Sequence, residues 1–186
     1  MERETIDKCL KYFGLLILIS ALVELIIAIV ICIIPLEINL ERLYFINYVL
    51  SESFPLTGRI AWILTIITPI LYMFLGIVLY YIIVKKKISI EYLSKYMIVF
   101  GLILLIGAFI KLEYQYLLQK QLILVGTEYI SFINLLINPT NTPFLVLVLW
   151  TIQTSIYCGD TVLAIVITAG GLNKSLKIER EQEASM

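Results

Sequence analysis

Long apolar runs separated by short polar segments dominate the chain, and four of these runs are long enough to cross a lipid bilayer. A hydrocarbon core of about 30 Å takes about 20 helical residues to bridge. The pattern therefore predicts four transmembrane helices, at about residues 12–34, 60–84, 96–118 and 143–170. The predicted fold class is an all-α integral membrane protein, a four-transmembrane-helix bundle.

Polar and helix-breaking residues mark the ends of these runs. The first run stops at Pro35, the second stops at three consecutive lysines, and the fourth reaches Gly170 and Gly171. Glycine directly after an apolar run is typical of a helix end. We therefore expect a single membrane domain over residues 1–172, a charged cytoplasmic tail over residues 173–186, and no internal repeat.

Lysine and arginine are distributed unevenly among the segments that join the runs. Ten of the fourteen lie before the first run, between the second and third, or after the fourth, and the other four lie in or beside the remaining two loops. Basic residues accumulate in the segments that stay in the cytoplasm. This bias predicts both termini in the cytoplasm and two external loops. We expect the membrane to be the plasma membrane.

The two predicted external loops are more apolar than loops in water. Residues 40–50 read LERLYFINYVL and residues 122–137 read LILVGTEYISFINLLI. We expect partly ordered loops that either lie along the outer membrane surface or pair as strands into a small sheet, broken at Gly126 and Thr127. Four spans under such a cap resemble claudins and tetraspanins in architecture alone, since these loops contain no cysteine for the disulfides typical of those families.

Composition narrows the possible chemistry. The chain is 61% apolar or aromatic and 15% charged, compared with roughly half and a quarter in soluble domains. Fourteen basic residues balance fourteen acidic ones, so no basic face is predicted for nucleic acid. There is no histidine, and Cys9, Cys32 and Cys158 lack the spacing of a metal or redox motif. We therefore predict no catalytic, cofactor-binding or metal-binding residue.

Two acidic residues lie inside the predicted spans. Glu24 is near the middle of span one and Asp160 is near the middle of span four. These spans run in opposite directions, so the two carboxyl groups fall at similar depth and could meet. A charge in hydrocarbon is costly and usually faces the interior of a helix bundle.

Other polar side chains recur at helical spacing beside these acids. The predicted intramembrane polar core comprises Glu24, Asp160, Tyr157, Gln153, Tyr72, Thr68 and Lys111. The Lys111 side chain is long enough to approach the acids, or it snorkels outward or pairs with Glu113. The polar core either serves a function or holds the helices together by hydrogen bonds, and the sequence leaves both readings open.

Two functions are consistent with these features. The first is a structural or accessory subunit, whose partners are membrane lipids and other membrane subunits or copies of itself; Glu24→Gln and Asp160→Asn should then be tolerated. The second is a proton- or cation-coupled small transporter that uses Glu24 and Asp160, in which the same substitutions abolish transport. An intramembrane enzyme, with Asp160 as a base and Tyr157 or Thr161 nearby, is a third and least favoured reading, because nothing beyond proximity supports it.

Overall fold

A computed structural model describes residues 2–38, 41–51, 54–85, 90–125, 127–138 and 144–183. Four long helices account for most of this part of the chain, and a strand pair and a short helix follow the first and the third of them. In chain order the elements are α1 Glu2–Ile33, β1 Pro35–Ile38, β2 Glu41–Tyr44, α2 Phe45–Leu50, α3 Leu56–Lys85, α4 Ile90–Lys120, β3 Leu122–Val125, β4 Glu128–Ser131, α5 Phe132–Ile137 and α6 Phe144–Glu183.

The four long helices coincide with the predicted spans. Their stretches of membrane-spanning length and composition are Lys11–Ile33, Leu56–Tyr81, Tyr92–Lys120 and Phe144–Glu181. An α-helix satisfies its backbone hydrogen bonds internally, so it is one of the few structures that hydrocarbon tolerates. Large apolar side chains such as Ile26 and Ile29 are exposed on these helices, as lipid requires. The chain is therefore a multi-pass membrane protein with four helical spans.

The predicted helix end at Gly170 and Gly171 is wrong, because α6 continues without a break from Phe144 to Glu183. Glycine in a helix interior costs about 1 kcal/mol relative to alanine, so this pair needs another reason. Gly171 is buried, and a Cβ atom there would lie 3.0 Å from the backbone nitrogen of Ile98 on α4. Close helix packing, not helix termination, explains this glycine.

The segment between α1 and α3 and the segment between α4 and α6 each contain two strands and a short helix. β1 pairs with β2, and β3 pairs with β4, as two separate antiparallel two-stranded sheets. β3 ends at Val125 and β4 begins at Glu128, with Thr127 in a turn before it. The sequence predicted a break at Gly126 and Thr127, of which Gly126 lies outside the described residues. Each hairpin leads directly into a six-residue helix.

The elements occur twice in the same order, so the expectation of no internal repeat is wrong. A long helix, a β-hairpin, a short helix and a second long helix make up repeat 1, residues 2–85, and again repeat 2, residues 90–183. The strands and short helices of repeat 2 begin and end 87 residues after their counterparts. Even the strand register agrees, since Pro35 opposite Tyr44 corresponds to Leu122 opposite Ser131.

The amino-acid sequence carries the same repeat. Residues 13–21 read FGLLILISA and residues 100–108 read FGLILLIGA, which is six identities in nine positions at the 87-residue offset. The short helices both begin with Phe-Ile-Asn. In the second long helices the offset is 88, which aligns LGIVL at residues 75–79 with LAIVI at residues 163–167. Sequence and structure together therefore show an internal duplication.

By its contacts the chain divides into two compact units, and segments of both repeats occur in each. The first unit comprises Met1–Leu22, Ile70–Phe109 and Cys158–Met186, and the second comprises Val23–Pro69 and Ile110–Tyr157. The core of the first unit includes Ile17, Ala21, Tyr72, Leu79, Phe100, Leu104, Ala164 and Ile167. The core of the second includes Ile27, Ile31, Phe45, Val49, Phe54, Tyr114, Leu118, Phe132, Leu135, Val146 and Trp150.

In the first unit, matching positions of the two repeats make the same helix contact. A Cβ atom on Gly14 would lie 3.3 Å from the carbonyl oxygen of Gly76. A Cβ atom on Gly101, the counterpart of Gly14, would lie 3.1 Å from the carbonyl oxygen of Ala164, the counterpart of Gly76. Small residues at these positions let the two long helices of each repeat approach closely.

Candidate functional site

The second unit contains a buried ion pair between the first helices of the two repeats. The Lys111 ammonium, on α4, donates to both carboxylate oxygens of Glu24, on α1, with Nζ–O distances of 2.8 and 2.7 Å. Both side chains are 0% exposed. The sequence left three arrangements open for Lys111, and the structure shows the one in which its side chain points inward to an acid of the polar core. The ammonium does not snorkel outward, and its ion-pair partner is Glu24 and not Glu113.

Burial makes this pair important for stability. Removing two charges from water costs several kcal/mol per ion, and their attraction offsets that cost only when the geometry is good. One ammonium that contacts both oxygens of the carboxylate meets this condition. Removing either partner alone would leave an isolated charge in the protein interior, so each residue depends on the other.

Helix α6 adds two side chains to this pair. The Lys111 ammonium lies 5.0 Å from the ring centroid of Tyr157, within the range of a cation–π interaction. One helical turn earlier, the Gln153 amide donates to the Tyr157 hydroxyl at 2.6 Å. Four residues predicted for the polar core, Glu24, Lys111, Tyr157 and Gln153, thus form a connected group from three helices. We call it the Glu24 cluster.

Asp160 belongs to the first unit and has its own polar contact there. Its side chain is buried, and the hydroxyl of Ser20 on α1 donates to the carboxylate at 3.2 Å. Sequence reasoning missed Ser20, although it lies one turn before Glu24 on the same helix. The two acids that could meet by depth therefore contact different side chains: Glu24 contacts Lys111 and Asp160 contacts Ser20.

Thr68 and Tyr72, the remaining predicted residues, are both buried on α3 and bond in different ways. The Thr68 hydroxyl donates to the carbonyl of Leu64 at 2.6 Å, within its own helix. The Tyr72 hydroxyl donates to the carbonyl of Leu104 on α4 and so links the two repeats. The Tyr72 hydroxyl thus bonds between helices, whereas the Thr68 hydroxyl bonds within α3.

A second polar contact in the second unit was not predicted. The Thr154 hydroxyl on α6 lies 2.7 Å from the amide oxygen of Gln115 on α4, and Gln115 is buried. Gln115 lies one helical turn after Lys111, so helical spacing places both on the same face of α4. That spacing could have identified Gln115 from the sequence, whereas its partner could not be chosen without the structure.

A pocket of about 260 Å³ in the second unit lies between the start of α3 and the end of α4, and apolar groups of Phe54, Tyr114 and Leu118 form much of its wall. Within the described ranges, no group of three or more histidine, cysteine, aspartate or glutamate residues is placed to hold a metal ion. The chemistry concentrated in the Glu24 cluster is therefore that of a charge pair and hydrogen bonds.

No protein-family model, curated protein or solved structure matches this chain. The fold defines the chain as a four-span membrane protein built from two tandem repeats, with a buried ion pair between the repeats.

Proposed function

We propose that the protein is a structural or accessory subunit of a larger membrane complex or of a homo-oligomer, in the plasma membrane, with both termini in the cytoplasm. The observation that supports the proposal most directly is the complete burial of the ion pair in the Glu24 cluster. Glu24 and Lys111 bond to each other and neither is exposed. A charge pair that is buried from water and lipid holds helices together. Neither charged group is exposed for contact with a substrate.

The surfaces of the long helices supply the rest of the support. Helix association in a bilayer depends on packing and on hydrogen bonds between helices, because lipid is as apolar as the side chains themselves. Exposed isoleucine and leucine side chains cover the outer faces of the spans, for example Leu22 and Ile26 on α1 and Ile67 and Leu71 on α3. These faces suit lipid and the spans of other subunits equally well.

Gentle extraction of the tagged full chain from native membranes tests this proposal. The extract is sized, and mass spectrometry identifies what travels with the chain. Other subunits in fixed ratio, or a discrete homo-oligomer, would support the proposal. A monomer with no partner at near-native lipid content would contradict it.

The alternative is a proton- or cation-coupled small transporter that uses Glu24 and Asp160. One observation favours it: parallel repeats related by an axis along the membrane normal occur in several transporter folds, and this chain is a tandem duplication. In such a carrier the Glu24–Lys111 pair would open and close as protons or cations bind.

The buried pair changes how the two functions must be distinguished. Glu24→Gln alone leaves Lys111 without its anion, so loss of activity could reflect misfolding. The double variant Glu24→Met/Lys111→Met removes both charges and keeps similar volume. A subunit should retain its assembly in this variant and in Asp160→Asn, whereas a carrier reconstituted in vesicles should lose proton or cation flux in both.

A further inference from the structure

Two pairs of equivalent residues in the repeats contact each other. Glu24 and Lys111, which are 87 positions apart, form the buried ion pair. Phe45 and Phe132, also 87 positions apart, have ring centroids separated by 5.7 Å. In a two-fold association, residue i of one partner contacts j of the other and j contacts i. A residue that contacts its own counterpart therefore lies beside the local two-fold axis, and both pairs do so in the second unit.

The first unit shows the crosswise contacts that such an association requires. Tyr72 and Asp160 are counterparts at the 88-residue offset of the second long helices. Tyr72 of repeat 1 bonds to the Leu104 carbonyl of repeat 2. Asp160 of repeat 2 accepts a hydrogen bond from Ser20 of repeat 1. Each side chain thus reaches the first helix of the other repeat, and Ser20 lies one helical turn from Ile17, the counterpart of Leu104.

We propose that this chain is a fused pair of like two-span units, and that the Glu24–Lys111 pair determines which unit each one accepts as a partner. The association surface of repeat 1 carries Glu24 and Phe45, and its partner is a unit of the same fold with lysine at the matching position. In this chain that partner is repeat 2.

Charge at one position is enough to give this selectivity. The apolar contact would not discriminate, because phenylalanine occupies the same position in both repeats. Two copies of repeat 1 would bury two glutamates against each other, and two copies of repeat 2 would bury two lysines. Specific association commonly depends on such a repulsive element as well as on the attractive one, as a single polar residue does in coiled coils.

Charge reversal in the full-length protein tests the equivalence of the two positions. Glu24→Lys and Lys111→Glu should each lower the ratio of folded to unfolded protein by about 100-fold or more, since each buries like charges. The combined Glu24→Lys/Lys111→Glu protein should recover to within about 10-fold of wild type, because a local two-fold axis interchanges the two environments.

The exposed pair of Lys177 and Glu181, 4.0 Å apart on α6, provides the matched control. Reversing either of these charges, or both, should leave the folded fraction within about 3-fold of wild type, because exposed pairs contribute little. A combined Glu24/Lys111 reversal that is no better than the single reversals would overturn the proposal, since the two positions would then not be equivalent.

Partner choice is tested with the full-length protein carrying a protease site within residues 86–89, between the repeats. Two folded preparations with different N-terminal tags are cut, mixed and incubated in detergent until their C-terminal halves exchange. One tag should then capture C-terminal halves in one-to-one ratio and no N-terminal halves carrying the other tag. In the Glu24→Met/Lys111→Met protein it should capture both kinds of half.

Three results would overturn the proposal. The first is release of the C-terminal half from wild-type protein after cutting, which would show that the repeats do not associate as units. The second is capture of N-terminal halves by wild-type protein as readily as C-terminal ones. The third is strict pairing of unlike halves in the uncharged double variant, which would place the selectivity elsewhere.

Discussion

Glu24 and Lys111 are oppositely charged residues within largely apolar spans, and each lowers the free-energy cost of burying the other. A single charge at this depth costs several kcal/mol, whereas the paired ions share one set of short contacts. Their burial therefore predicts unequal effects for single and double substitutions.

Lys111→Met should destabilise the protein by about 3–5 kcal/mol, because it leaves the Glu24 carboxylate buried without a cation. Adding Glu24→Met should return the stability to near wild type or above it, because well-packed apolar residues often replace a buried pair without loss. Thermal unfolding in detergent measures both. Equal losses in the single and double variants would contradict this account.

Two glycines on long helices should respond in opposite ways to alanine. A Cβ atom on Gly101 would lie 2.9 Å from the backbone nitrogen of Thr168 and nearer still to its hydroxyl, so Gly101→Ala must push α4 and α6 apart, with an expected loss of about 1–3 kcal/mol. Gly159 has nothing within 4 Å of that position, so Gly159→Ala should stabilise its helix by about 0.5–1 kcal/mol. The same unfolding assay compares them, and a similar loss in both would argue against close packing at Gly101.

The short helices α2 and α5 are too small to be stable alone and depend on their aromatic residues. Phe132 contacts two other rings in the core of the second unit, Phe45 at 5.7 Å and Trp150 at 5.6 Å between centroids. The hairpin before it ends in Ser131, whose hydroxyl accepts from the Asn134 backbone and caps α5. Packing and capping together hold this element in place.

Phe132→Ala should cost about 3–5 kcal/mol, the range for removing a large aromatic side chain from a core. Tyr129→Ala, three residues earlier on β4, is the control, because Tyr129 is 69% exposed and its loss should change stability by less than about 0.5 kcal/mol. Thermal unfolding of the two variants gives the comparison. A small effect of Phe132→Ala would mean that α5 is not part of the core.

Sequence predicted the long helices well, because bilayer thickness sets a length that only sustained apolar runs can meet. It misplaced the end of α6, because Gly171 allows close packing against Ile98 and does not end the helix. Helical spacing identified the faces that carry Glu24 and Asp160, but spacing does not specify partners. The inward position of Lys111 was therefore one of several predicted arrangements until the structure placed it against Glu24, and Ser20 was not predicted. The repeat was not predicted, because its most similar segments, FGLLILISA and FGLILLIGA, are 87 residues apart and have the composition of any apolar span.

The uneven distribution of lysine and arginine predicts that residue 129 faces the outside of the cell and residue 177 faces the cytoplasm. Single cysteines test this in a background from which Cys9, Cys32 and Cys158 have been removed. A membrane-impermeant maleimide applied to intact cells should label Tyr129→Cys and leave Lys177→Cys unlabelled until the cells are opened. Labelling in the reverse order would invert the proposed topology.

The tandem repeat has a genetic consequence. Each repeat contains two spans, so a chain that completes one repeat returns to the side from which it started. Duplicating a gene segment for such a hairpin needs no additional crossing and no change in the preference of either copy for one face of the membrane. A unit with an odd number of crossings could not be joined in tandem so simply, since its second copy would have to insert upside down. An even number of crossings is thus compatible with fusion of two units in a single event, after which exchange of one glutamate or lysine is enough to make the copies different.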